Sequence, residues 1–140
     1  MTEIRPGTYV YNDLNTYYQG ACRLEDCAAR VVATVVSTAV PGRAMIDAGS
    51  KTLSSDGLGS GPTTGFGYVV EAPDAALIKL NEEHGYLDIT NSSHKFRVGE
   101  VVTVIPNHVC TCVNMHDEVF FFRNGQMEGR WKVAGSGKVR

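Results

Sequence analysis

Four metal-capable side chains, His108, Cys110, Cys112 and His116, crowd into Ile105-Pro-Asn-His-Val-Cys-Thr-Cys-Val-Asn-Met-His-Asp117. No other stretch of the chain is so dense in soft and borderline ligands. A His-x-Cys pair suits zinc, since imidazole nitrogen and thiolate sulfur are the donors that ion prefers. In an extended backbone, residues two apart point to one side with a rise of about 6.6 Å between them. On that geometry His108 and Cys110 could reach one ion just after Pro106 ends a strand, and Cys112 could join them if the chain stays extended. A lone histidine is also commonly a satisfied, half-buried side chain. A short turn around Asn114 and Met115 would swing His116 away, so Cys112 and His116 are secondary candidates. Two protein ligands leave coordination positions for water or a substrate oxygen, an open arrangement typical of catalytic rather than structural zinc, and able to polarise a hydroxyl group.

The other reactive residues carry less. Cys22 and Cys27, with four residues between them in a polar segment, lack the tight spacing of a zinc knuckle and read as unliganded thiols; a closed site with His108 and Cys110 is the less favoured alternative. His84 lies among Asn81, Glu82 and Glu83, a setting that suits an exposed turn. Asp47, Ser50 and Lys51 follow an apolar run into a loop, where they could bind a ligand or satisfy turn backbone. No Ser/His/Asp order and no facing carboxylate pair can be defended. A small zinc hydrolase therefore ranks low for want of a general base.

The elements that must position these groups read as β. Short runs rich in β-branched and aromatic residues alternate with Gly, Pro, Asn and Asp. Strands are expected at 8–11, 30–40, 43–48, 67–71, 76–80, 86–90, 101–105, 118–123 and 126–133. Pro41-Gly42 marks a compact turn and Asn124-Gly125 a hairpin. Short helical pieces are expected at 13–18 and after Cys110. The fold class expected is mainly β: an antiparallel barrel or sandwich-like domain with one or two short helices, a single domain over 1–140. The glycine-dense segment from Ser54 to Gly67 lacks the Gly-Lys-Ser/Thr ending of a phosphate loop and any βαβ surroundings. It reads as a surface loop that could also serve as a flap beside a ligand site.

Composition narrows the function classes. With 43% hydrophobic and 20% charged residues and a net charge of −2, the chain is an ordinary globular protein. It has no electrostatic footprint for nucleic acid or anionic membrane. No spanning run and no signal-peptide core is visible, so a cytoplasmic setting with reduced thiols is expected.

Several segments together resemble a known family. They are Arg5-Pro-Gly-Thr-Tyr-Val-Tyr-Asn-Asp13, Val36-Ser-Thr-Ala-Val-Pro-Gly-Arg43, Ile46-Asp-Ala-Gly-Ser-Lys-Thr-Leu-Ser-Ser-Asp56, Glu82-Glu-His-Gly85, Val98-Gly-Glu-Val101, Ile105-Pro-Asn-His-Val-Cys110 and Gly129-Arg-Trp-Lys-Val133. The ordered set is similar to the C-terminal domain of the D-threonine aldolase and D-serine dehydratase family, pyridoxal-phosphate enzymes of the alanine-racemase fold type. The resemblance implies an antiparallel β domain that follows a (β/α)8 barrel carrying the cofactor lysine. It also implies metal ligation by a histidine and by a Cys or Asp two residues later, a pattern that falls on His108 and Cys110. A thiolate there favours zinc and a dehydratase-like site; a carboxylate would favour manganese or magnesium and an aldolase-like one. The implied substrate is a D-configured β-hydroxy amino acid, with the metal near its β-hydroxyl.

A (β/α)8 barrel takes about 250 residues, and none of it is in this sequence. Pyridoxal phosphate is thus expected only in a complete enzyme, and no lysine here, Lys51 included, takes the cofactor role. An excised domain, a truncated product and a free-standing relative that works with a separate barrel subunit all fit. The expected partner is that barrel, as domain or subunit, and the isolated chain should lack turnover. Relatives of this fold type build active sites across two subunits, which makes a homodimer a further expectation. The rival reading is a non-catalytic assembly or binding module with a structural metal or none.

Overall fold

The computed structural model describes residues 2–59, 61 and 65–138. Six strands form one antiparallel sheet: β1 (Val31–Ser37), β2 (Arg43–Ile46), β3 (Gly67–Val69), β4 (Ala76–Leu80), β5 (Gly85–Asp88) and β6 (Val101–Pro106). Their spatial order is β3-β6-β1-β2-β5-β4. The two ends of that order approach one another, and the Phe66 N–H just before β3 donates to the Leu77 carbonyl of β4 at 2.9 Å. The sheet is therefore a nearly closed barrel. A second sheet is the hairpin of β7 (Glu118–Arg123) and β8 (Gln126–Lys132).

Strand alternation explains the curl. On β1 the inward side chains are Ala33 and Val35, while Val32 and Val36 face out. Ile46, Leu77, Leu87, Val102 and Val104, none of them exposed, complete that interior. Burial of each such side chain is worth about 1.5–3 kcal/mol. Irregular pairing at Val35/Ser37 and at Leu77/Lys79 interrupts the ladders, and such interruptions bend strands as closure requires. Gly85 lies against the opposite wall: a Cβ there would sit 2.8 Å from the Ala48 carbonyl oxygen and from Leu77 Cδ1.

β6 has a second duty. Ile105, near its end, belongs not to the barrel interior but to a separate cluster with Leu14 and Cys27. Leu14 opens α1 (Leu14–Tyr18), so this cluster clamps the N-terminal segment to the strand that leads into the His-x-Cys stretch. Two further helices are short: α2 (Ser50–Leu53) and α3 (Val109–Asn114).

The expected strands at 76–80 and 118–123 match β4 and β7, and the remaining barrel strands and β8 differ from expectation only at their ends. One expected strand does not exist. Thr8–Val10 is a 3-10 turn, with Val10 N–H on the Gly7 carbonyl and Tyr11 N–H on that of Thr8. Tyr9 and Val10 are 67% and 62% exposed, so this β-branched and aromatic run has no sheet face to bury. The α2 helix was not expected at all; its four residues are too few to show a helical period. Both turns are as expected: Arg43 N–H closes on the Val40 carbonyl around Gly42 at φ 74°, and Asn124 and Gly125 take positive φ.

At the opposite surface Asp74 ties its turn to the following loop by accepting from Ser92 Oγ at 2.7 Å and from Ser93 N and Oγ at 2.7 and 2.9 Å. The Ser93 backbone N–H, then the two hydroxyls, hold its carboxyl down at about 2 from an ordinary 3.8. A depressed carboxylate stabilises the fold above its unfolded value and loses that contribution as pH falls through the folded one. Asp74→Asn should therefore be less stable than wild type at neutral pH, and the gap should close between about pH 4 and pH 2. Urea midpoints measured across that range check it.

Candidate functional site

The site is built where β6 ends. Pro106 removes a donor and closes the strand, and Asn107 follows it into the interior at 2% exposure. Its side-chain amide donates to the Asp56 and Gly65 carbonyls at 3.0 Å each, pinning both ends of the glycine-dense loop. The Asn107 carbonyl accepts from Asn15 Nδ2 at 2.8 Å, so the same residue is tied to α1. Asn107 Oδ1 has no partner among the described residues. Within that loop Ser60 and Pro62–Thr64 lie outside the described residues, and the flap expectation falls partly on them.

Asp13 fixes the other side. It is completely buried. One carboxyl oxygen accepts from Thr16 N at 3.0 Å and caps α1; the other accepts from Val109 N at 2.9 Å, the first residue of α3. Thr16 Oγ1 returns the contact to the Asp13 backbone N–H, a capping box.

His108 is thus the N-cap residue of α3, still extended at φ −135° and ψ 107°, and Cys110 is already in the first helical turn. The pair is not on an extended backbone, contrary to expectation. The two side chains share the start of a helix rather than one side of a strand, because Asp13 and Asn107 force the backbone to turn at His108. Cys110 is exposed, and its sulfur is 3.4 Å from the Thr8 hydroxyl. His108 Nδ1 lies 2.6 Å from Asp56 Oδ2. That imidazole, and next the Thr111 hydroxyl, hold the Asp56 carboxyl below the ordinary aspartate range.

Helix formation removes the secondary candidates. Cys112 is buried with its S–H on the Thr52 carbonyl at 3.2 Å, and desolvation pushes the thiol up to about 11. His116 Nε2 donates to the same carbonyl at 3.1 Å. Both therefore tie α3 to α2 and do not converge with His108. Cys22 and Cys27 sit in or against the Leu14–Ile105 cluster, both free, with Cys27 pushed up to about 12 mainly by burial. Asp47 accepts from Thr34 N at 2.5 Å, and Lys51 pairs with Glu83 at the surface. Neither reaches the His108 group.

Sequence reasoning passed over Asp56, Ser54 and Thr111. Thr111 Oγ1 is 2.9 Å from Asp56 Oδ2 and 3.1 Å from Ser54 Oγ. Ser54 ends α2 at φ 66° and ψ 171°, a region only glycine enters readily; holding another residue there costs about 1–3 kcal/mol. Asp56 lies 52 residues from His108 in sequence, and no local pattern links them.

Among the described residues no group of three or more His, Cys, Asp or Glu side chains could hold a metal. The donor set still fits a two-ligand site: His108 keeps Nε2 free of the Asp56 contact, and Cys110 presents an exposed sulfur. No helix among the described residues is long and apolar enough to cross a membrane.

Residues 28–122 match the family described as "Putative serine dehydratase domain". The chain belongs to that family. An uncharacterized protein of Mycobacterium bovis is 38% identical over 85% of this chain and 91% of its own length. The D-threonine aldolase of an Arthrobacter species is 29% identical over 99% of this chain and only 35% of its own length. In three dimensions the chain is similar to D-threo-3-hydroxyaspartate dehydratase from Delftia, with a TM-score of 0.81 and 29% identity over 94% of this chain and 38% of that one. The chain thus spans about a third of these named enzymes and nearly all of the short mycobacterial relative. The Delftia dehydratase is also solved as a His-to-Ala mutant and, two positions later, as a Cys-to-Ala mutant in a metal-free form.

Two outcomes follow from the geometry. Asp13→Ala should cost about 2–3 kcal/mol, since it orphans the Thr16 and Val109 amides together; equilibrium urea unfolding measures it. Brief alkylation of native protein near pH 8 should modify Cys110 first, with Cys27 and Cys112 reacting only on unfolding. Peptide mass mapping reads the order.

Proposed function

We propose that this chain is the metal-bearing β domain of a pyridoxal-phosphate-dependent lyase of the D-serine dehydratase or D-threonine aldolase type. In this reading His108 Nε2 and the Cys110 sulfur hold a zinc ion, the cofactor belongs to a separate (β/α)8 barrel, and the chain alone does not turn over. The observation that carries the reading is the pair itself. An imidazole whose Nδ1 is already engaged by a carboxylate caps α3, and an exposed cysteine follows two residues later in the first turn of that helix. The Delftia dehydratase has a histidine and a cysteine at the same spacing, and its Cys-to-Ala mutant is solved in a metal-free form.

The donor chemistry favours zinc over manganese or magnesium, because a thiolate is a soft ligand. An ion with vacant coordination positions supplies Lewis acidity to a bound oxygen, here the β-hydroxyl of a D-β-hydroxy amino acid. The protein's own part is to hold the two donors at a fixed corner, braced by Asp13 and Asn107, and facing outward. Both donors are reachable from solvent, with the His108 side chain 37% exposed, so a barrel domain or subunit can complete the site. A second reading, an assembly module with a structural metal or none, draws on the mycobacterial relative, 91% of which this single domain covers.

Elemental analysis of the purified chain decides between them. Wild type should carry about one zinc per chain, and His108→Ala and Cys110→Ser should each lose it while keeping the fold. Chelation should leave circular dichroism unchanged; collapse on chelation would point to a structural ion. Mixed with a cognate barrel fragment, the chain should release ammonia from D-serine or aldehyde from D-threonine. A confirmed complex without either product favours the assembly module.

A further inference from the structure

Ser54 is a buried, non-glycine residue held in backbone space that glycine occupies readily. A glycine would relieve that strain, so the hydroxyl is the feature worth explaining. Ser54 Oγ accepts from the Asp56 N–H at 3.2 Å and lies 3.1 Å from Thr111 Oγ1. Thr111 Oγ1 has one proton, and its best acceptor is the Asp56 carboxylate at 2.9 Å. Ser54 Oγ thus accepts on both sides, from the Asp56 N–H and from the Thr111 hydroxyl, and it brackets the Asp56 carboxylate that draws the Thr111 proton by the stronger, charge-assisted bond. His108 Nδ1–H donates to the same Asp56 oxygen at 2.6 Å.

We infer that Ser54, Thr111 and Asp56 form a positioning relay that locks the His108 ring in its Nδ1–H tautomer, with Nε2 presented outward as the donor atom. The relay rests on the metal reading for its purpose but not for its geometry. It joins the end of α2, the base of the glycine-dense loop and the first turn of α3. Thr111 Oγ1 also lies 3.3 Å from the His108 carbonyl, so one hydroxyl senses both the backbone and the side chain of the same residue. A carboxylate behind a metal-binding imidazole sets the tautomer and ring orientation, and its loss typically costs 10–100-fold in affinity. None of the three is a catalytic residue; each acts through His108.

The test uses the 140-residue chain with zinc alone as probe. Nitrogen-15 NMR of metal-free wild type should show His108 as the Nδ1–H tautomer, the form a free imidazole disfavours. Ser54→Gly, Thr111→Val and Asp56→Asn should each move it toward Nε2–H. Zinc affinity from chelator competition should weaken about tenfold in the first two and up to about 100-fold in the third. Ser54→Gly should keep or raise the melting temperature, because it removes the strained conformation. A Ser54→Gly protein that melts lower yet keeps tautomer and zinc affinity overturns the relay. If Asp56→Asn fails to fold, the other two variants decide. Wild type that takes no zinc refutes the proposed function, while the tautomer spectra still settle the orientation claim.

Discussion

A single buried carboxyl, that of Asp13, ties together everything the site needs. It caps α1 with one oxygen and, with the other, the first amide of α3, 96 residues away from Asp13 in sequence. Unmet, those amides would each cost on the order of 1–3 kcal/mol in the interior. The chain leaving β6 therefore has one economical route: turn at Asn107, cap at His108, and begin the helix at Val109. His108 and Cys110 owe their placement to that demand for hydrogen-bond partners more than to anything in the His-x-Cys spacing.

The barrel supplies the stiffness behind this junction. β6 pairs with β1 as far as Val104 and with β3 as far as Pro106, so its end cannot drift without breaking the β3 ladder. Ile105 faces Leu14 and Cys27 while Val102 and Val104 face the barrel interior. The strand is thus a shared wall between two apolar clusters. At its end sits the one polar corner that matters, with Asn107 reaching back to both α1 and the loop that carries Asp56.

Much of this was readable in the chain. Alternation in Val31–Ser37 and Val101–Pro106, and the punctuation at Pro41-Gly42 and Asn124-Gly125, gave a mainly β antiparallel architecture from local signals alone. The ordered motifs gave the family. Local signals failed where the backbone obeys a distant partner. Tyr9 and Val10 look like strand residues, but no sheet edge is available to them. Cys110 and Cys112 look extended, yet the Asp13 cap starts a helix under them and buries Cys112 against Thr52. Asp56 and Thr111 meet only through the tertiary fold. Ser54 reads as an ordinary loop serine until its φ of 66° is seen.

The central claim is that one imidazole and one thiolate of this chain grip a divalent ion and leave the rest of its coordination open. X-ray absorption at the zinc edge of the loaded, isolated chain tests it most directly. The account predicts one sulfur at about 2.3 Å, one nitrogen at about 2.0–2.1 Å, and oxygen from exchangeable water for the remainder. Two or more sulfurs, or a shell filled by protein ligands, would contradict it.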